Sequence, residues 1–118
     1  MILNTLIMNS VDNEPVVTSL YTGYDDDFTL LFNLDHTDRQ SPLHSNRVSC
    51  RVVKDEAYGL AMKLGVSMVD LPGRLADMFT DFSQMENPQS VDVDSCFSEV
   101  LNMLVDFRCP YKIHRSKL

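Results

Sequence analysis

The sequence predicts an α+β domain: an N-terminal antiparallel β-meander with about three helices packed on one face. Three observations lead there. Residues 28–34 alternate at period two, with Phe28, Leu30, Phe32 and Leu34 on one face and Thr29, Leu31 and Asn33 on the other. The links between the early β-rich runs are short, which favours antiparallel pairing. The second half carries three apolar stripes at helical spacing, and helices covering one side of such a sheet make a stable two-layer arrangement. With 118 residues the chain holds one domain, 1–118. It divides into a meander (1–34), a loop (35–46), a mainly helical region (47–109) and a basic tail (110–118).

Ile2 to Met8 is rich in β-formers and reads as the first strand. Turn chemistry follows at Val11-Asp12-Asn13-Glu14-Pro15, then a second strand over Val16–Thr22. Gly23-Tyr24-Asp25-Asp26-Asp27 makes the next turn, and Phe28–Leu34 is the third strand. Residues 35–46 are polar, contain Pro42, and read as a loop. In residues 47–53, Val48, Cys50 and Val52 alternate like an edge strand, yet Cys50, Val53, Ala57 and Leu60 fall at helical spacing. A strand to about Val53 and a helix from about Asp55 to Leu64 reconcile the two, with Gly65 as the C-terminal cap. A second stripe (Leu71, Leu75, Met78, Phe79, Phe82) starts best from Asp70, because Pro72 then falls in the tolerant first turn. The segment 83–91 is a linker. The third helix begins near Asp92 or Asp94 with Val93, Phe97, Val100, Leu101, Leu104 and Phe107 as its apolar stripe, and Pro110 ends it. Tyr111–His114 is a candidate final strand.

Charge is unevenly distributed. The chain carries 10 basic and 17 acidic residues, net −7, with pI about 4.7. Residues 1–46 hold seven acids and one base, 47–82 five of each, 83–107 five acids and no base, and 108–118 four bases and no acid. The basic tail is expected to fold back on an acidic surface or to remain solvated. An acidic body repels phosphate backbones on average and steers basic proteins toward it.

The three cysteines (Cys50, Cys96, Cys109) show neither a disulfide framework nor a CxxC site, which fits a reducing compartment. The apolar start lacks Lys and Arg and is too short for a secretory core. No run approaches the roughly 18 apolar residues of a spanning helix. The expectation is a cytoplasmic protein without a membrane partner. Cys96 and Cys50 read as core residues, whereas Cys109, beside Arg108 and Lys112, has the setting most favourable to a thiolate.

No arrangement specifies a reaction. Asp25-Asp26-Asp27 lacks the interleaved spacing and distal Glu of a calcium loop, and Asp35, His36, Asp38 and His44 match no zinc spacing. No P-loop, GxSxG or GxGxxG occurs. The reading is therefore a protein with no metal, no cofactor and no catalytic residue.

One stretch carries a resemblance. Leu60, Ala61, Leu64, Gly65, Val66, Ser67 and Leu71 resemble the first helix and turn of a helix-turn-helix. With Arg47–Val53 ahead of it, the segment also resembles a ribbon-helix-helix. That resemblance implies a DNA-binding regulator, dimeric in form, that reads the major groove with Arg47, Ser49 and Arg51. Pro72-Gly73 and Arg74 depart from the helix-turn-helix pattern, and the segment is net neutral where a DNA-reading face concentrates Arg and Lys.

The first functional expectation is thus a small regulatory or inhibitory protein that binds a protein partner with a basic surface. Its candidate binding residues are Asp25, Asp26, Asp27, Asp35 and Asp38 in the first half, and Asp92, Asp94 and Glu99 on the third helix. An exposed strand edge leaves a homodimer open.

Overall fold

A computed structural model describes residues 5–11 and 15–118. Five strands form one antiparallel sheet in chain order: β1 (Thr5–Asn9), β2 (Val16–Tyr24), β3 (Leu30–Asp38), β4 (Asn46–Val52) and β5 (Lys112–Lys117). Four helices lie between β4 and β5: α1 (Lys54–Leu64), α2 (Leu71–Asp77), α3 (Thr80–Ser83) and α4 (Ser90–Asp106). The result is the α+β class read from the sequence, with the meander as expected. Residues 2–4 of the first anticipated strand and 12–14 of the first turn lie outside the described residues.

The helices cover one sheet face. Partner residues across a ladder share a face, so the registers Tyr24↔Leu30↔Val52, Thr22↔Phe32↔Cys50 and Leu20↔Leu34↔Val48 define it. Leu20, Leu30, Phe32, Cys50 and Val52 are fully buried there, against Leu60, Leu71, Leu75, Val93, Val100 and Leu104 from the helices. Polar atoms on this face are satisfied. Thr22 donates its hydroxyl to the Leu31 carbonyl at 2.8 Å, Thr18 and Ser90 share a hydroxyl–hydroxyl bond, and the Tyr24 hydroxyl donates to the Met68 carbonyl at 2.7 Å.

Several boundaries differ from expectation for identifiable reasons. Phe28 belongs to the turn, at φ 59° and half exposed, because Asp25 accepts the amides of Asp27 and Thr29 at 2.9 Å each and winds the hairpin tightly. The loop 35–46 shrinks to 39–45, since β3 runs on to Asp38 through polar residues that still pair with β2 and β4. The second helical stripe splits into α2 and α3 at Phe79. The Thr80 hydroxyl donates to the Asp77 carbonyl at 2.6 Å, a local bond that competes with helix propagation. Helix α4 starts two residues before Asp92. Gln89 is its cap, and Asp92 reaches back to the Gln89 amide at 2.8 Å in a capping box.

Two expectations hold closely. The strand-to-helix change falls between Val52 and Lys54, and Gly65 ends α1 in the left-handed region at φ 70°. There the Val66 amide reaches the Ala61 carbonyl at 3.0 Å in a glycine C-cap. The charged side chains of the basic tail are exposed, as expected of a solvated tail, and its backbone forms the final strand anticipated at Tyr111–His114. This is β5, an edge strand paired with β4 from Asn46↔Lys117 to Arg51↔Lys112.

Candidate functional site

No described element covers the opposite sheet face. Its rows follow from the registers: Tyr21–Asn33–Ser49–His114, Gly23–Leu31–Arg51–Lys112 and Ser19–Asp35–Arg47–Ser116. Arg47, Arg51, Lys112 and His114 therefore stand on this face against one acid, Asp35. Part of the charge is locked. Arg47 grips Asp35 in a bidentate pair, Nε to Oδ1 at 2.7 Å and Nη2 to Oδ2 at 2.9 Å, and also donates to the Tyr21 hydroxyl. Tyr21 in turn donates to Asp35 Oδ2 at 2.8 Å, and the guanidinium lies 5.8 Å from its ring centre. Burial and the adjacent Asp35 raise the Tyr21 pKa, so the phenol stays a donor. Beside this cluster the Ser49 hydroxyl donates to Asn33 Oδ1 at 2.6 Å.

The helical side has the opposite character. Residues 54–106 hold ten acids and three bases (Lys54, Lys63, Arg74), a net of −7. Asp55, Asp70, Asp77, Asp81, Glu86, Glu99 and Asp106 are exposed there. The helical layer is thus strongly acidic, while the bare sheet face carries Arg51 and Lys112 without an ion pair and Arg115 and Lys117 fall by register on the helix-covered side.

This layering redistributes the acids singled out in the sequence. Asp25, Asp26 and Asp27 sit in the β2–β3 turn at one end of the sheet. Asp38 lies at the far end of β3, where Asp94 of α4 meets His36 Nε2 at 2.7 Å. The strand between these ends has nine residues, so the two groups lie roughly 25 Å apart by the rise per residue. They do not merge into one face. Asp35 faces neither group, being spent on Arg47. Asp38 caps the following loop through the amides of Gln40 and Ser41 at 3.0 Å each, and Asp92 is tied into the helix cap. Of the eight, Glu99 is the one on the outer, exposed side of α4. The acids of α2 and α3 were missed because their segment, 47–82, balances to neutrality with Arg47, Arg51, Lys54, Lys63 and Arg74, two of which fold onto the other layer.

Arg47, Ser49 and Arg51 do share a face of β4, as the ribbon reading required. The two motif resemblances fail on geometry. Both edges of β4 are occupied, by β3 and β5, so it cannot pair with a partner's ribbon. Helix α2 has seven residues and packs Leu71, Pro72 and Leu75 into the core, leaving no recognition helix free.

Cys109 also departs from expectation. It is buried, and desolvation first, then nearby Glu56, push its thiol up, while Lys63 only partly opposes this. Burial likewise raises Cys50 and Cys96 to about 12, and Tyr24 to about 12. All three cysteines are free. In the folded state the neutral forms are favoured over ordinary values of 9.0 for the thiols and 10.0 for the phenol. The associated stability is complete below pH 9 and is lost as pH rises toward 12. Alkaline titration followed by circular dichroism is expected to show unfolding within that window. At pH 8 an aromatic disulfide reagent should react with the folded thiols at least about a hundredfold more slowly than with the urea-unfolded chain. Rapid labelling of one folded thiol would contradict the burial.

Among the described residues no three His, Cys, Asp or Glu side chains converge as a metal site, and no helix is long and apolar enough to cross a membrane. A cleft of about 600 Å³ runs between β1 and α2–α3 and includes Leu6, Ala76, Asp77 and Met85. A smaller one, about 300 Å³, lies at the Arg51–Lys112 end of the bare sheet face. No protein-family profile, no curated protein and no solved structure matches the chain.

Proposed function

We propose that the protein is a noncatalytic regulatory or inhibitory binding protein, and that its acidic helical layer docks on a basic protein surface. One observation carries this reading: ten acids against three bases in residues 54–106, with most of the acids exposed on one side of the sheet. Carboxylates arrayed this way steer a cationic partner and repel polyanions. The surface differs from the one expected from sequence. It rests on Glu99 together with Asp77, Asp81 and Asp106, rather than on the acids of the β2–β3 turn.

A fourfold neutralised variant (Asp77→Asn, Asp81→Asn, Glu99→Gln, Asp106→Asn) tests it, since these side chains are exposed and none serves as a cap. The wild type is expected to bind immobilised polylysine in a salt-sensitive manner, and the variant at least about tenfold more weakly. Neutralising Asp25, Asp26 and Asp27 should have a smaller effect. Equal retention of wild type and fourfold variant would overturn the proposal.

A second reading, nucleic-acid binding through Arg47, Ser49 and Arg51, is favoured by their common place on the uncovered face. The Asp35 pair neutralises Arg47, so this face presents few free cations to phosphates. Retention on single- or double-stranded DNA at low salt, lost in Arg51→Gln, would favour this reading over the first.

A further inference from the structure

Arg51 and Lys112 are direct partners across the β4–β5 ladder on the uncovered face. Like charges placed directly opposite on one sheet face lie about 4.5–5.5 Å apart at Cβ and destabilise the pair. Elsewhere on this face the chain avoids that conflict, setting Arg47 against Asp35. On the other side of Arg51 the register supplies Leu31, not an acid. Among the described residues neither Arg51 nor Lys112 makes a side-chain hydrogen bond or an ion pair.

The two cations stand at a cleft of about 300 Å³ whose other walls include Val53, Pro110 and Tyr111. Val53 is 57 % exposed and gives this cleft an apolar surface. An apolar floor with two convergent cations is the composition of a site for an organic anion. Glu56 also lines the cleft, with no ion pair to either cation, and its carboxylate disfavours multiply charged ligands. We infer that this cleft binds a monocarboxylate with a compact apolar or aromatic body, its carboxylate between Arg51 and Lys112 and its body on Val53, Pro110 and Tyr111. The ligand screens the two like charges, so binding relieves a repulsion the free protein carries.

The same chemistry is offered by a free organic acid and by the C-terminus of a peptide. Heteronuclear NMR titration of the full chain with N-acetylphenylalanine, its uncharged amide, and a tetrapeptide ending in phenylalanine separates them. Saturable shifts at Arg51, Val53, Tyr111 and Lys112 are expected with at least one of the two acids, and at least tenfold weaker binding with the amide. Arg51→Gln and Lys112→Gln should each weaken binding at least fivefold while leaving the melting temperature unchanged or raised. Tighter binding of the tetrapeptide identifies a chain terminus as the source, and tighter or equal binding of the free amino-acid derivative identifies a small acid. The assignment is overturned by absence of saturable binding to both acids, by equal affinity for acid and amide, or by unaltered affinity in both folded variants. None of Asp77, Asp81, Glu99 and Asp106 lines this cleft, so the fourfold neutralised variant should bind the acid normally.

Discussion

Replacing Phe32 with alanine is expected to destabilise the protein by about 3–5 kcal/mol, the usual range for truncating a core aromatic. Phe32 is fully buried in the middle strand of the sheet, between Thr22 and Cys50 in the register, and faces the helical layer. No charged group lines that position, so the vacated space gains no solvated replacement and the lost dispersion contacts are not recovered. Domains of this size are stable by about 5–15 kcal/mol in all, so the variant should be close to half unfolded or worse under mild stress. Urea unfolding followed by circular dichroism measures it as a lowered midpoint at unchanged slope. Phe32→Leu, which keeps most of the volume, should lose less than half as much. A loss under about 1 kcal/mol for alanine would mean that Phe32 does not occupy the centre of the core.

Deleting residues 110–118 is expected to be similarly severe, although most of these side chains are exposed. The cost lies in the backbone. Strand β5 is registered with β4 over six residues, and about half a dozen ladder bonds at roughly 0.5–1 kcal/mol each sum to about 3–6 kcal/mol. The deletion also turns β4 into an edge carrying Val48, Cys50 and Val52, a template for intermolecular pairing. Light scattering should rise with protein concentration in the truncated chain and not in the wild type. A full-length variant with Arg115→Gln and Lys117→Gln separates the contributions. It keeps the ladder, and it should remain as stable as wild type within about 0.5 kcal/mol. Equal damage in both would assign the tail's role to its charge instead of its pairing.

The parts of this fold that were legible in the sequence are those where local chemistry and tertiary packing agree. The alternation of Leu30, Phe32 and Leu34, the glycine after Leu64, and the stripe from Val93 to Leu104 each state their own environment. Legibility ended where a residue's meaning depended on its distant neighbour. Asp35 and His36 look like loop residues because their partners, Arg47 and Asp94, are 12 and 58 positions away. Cys109 looks activated because Arg108 and Lys112 adjoin it in the chain, whereas burial and Glu56 govern it in the fold. The binding surfaces suffered most. Counting charge along the chain joined Asp25–Asp27 with Asp92–Glu99, yet the sheet holds them at opposite ends or on different layers. The Arg51–Lys112 juxtaposition is invisible without the β4–β5 register, since 59 intervening residues fold back before the two strands meet.

The excess of carboxylates in the helical layer over the bare strand face, which carries Arg51 and Lys112, gives the molecule a permanent dipole with a component perpendicular to the sheet. A charged body approaching in solution exerts a torque before it makes any contact, turning the helices toward a positive object and the bare strands toward a negative one. Encounters are therefore sorted by orientation while the partners are still within a Debye length, about 8 Å at physiological ionic strength. Two molecules of opposite charge can approach from opposite sides without competing for the same ground, and added salt should weaken both approaches together.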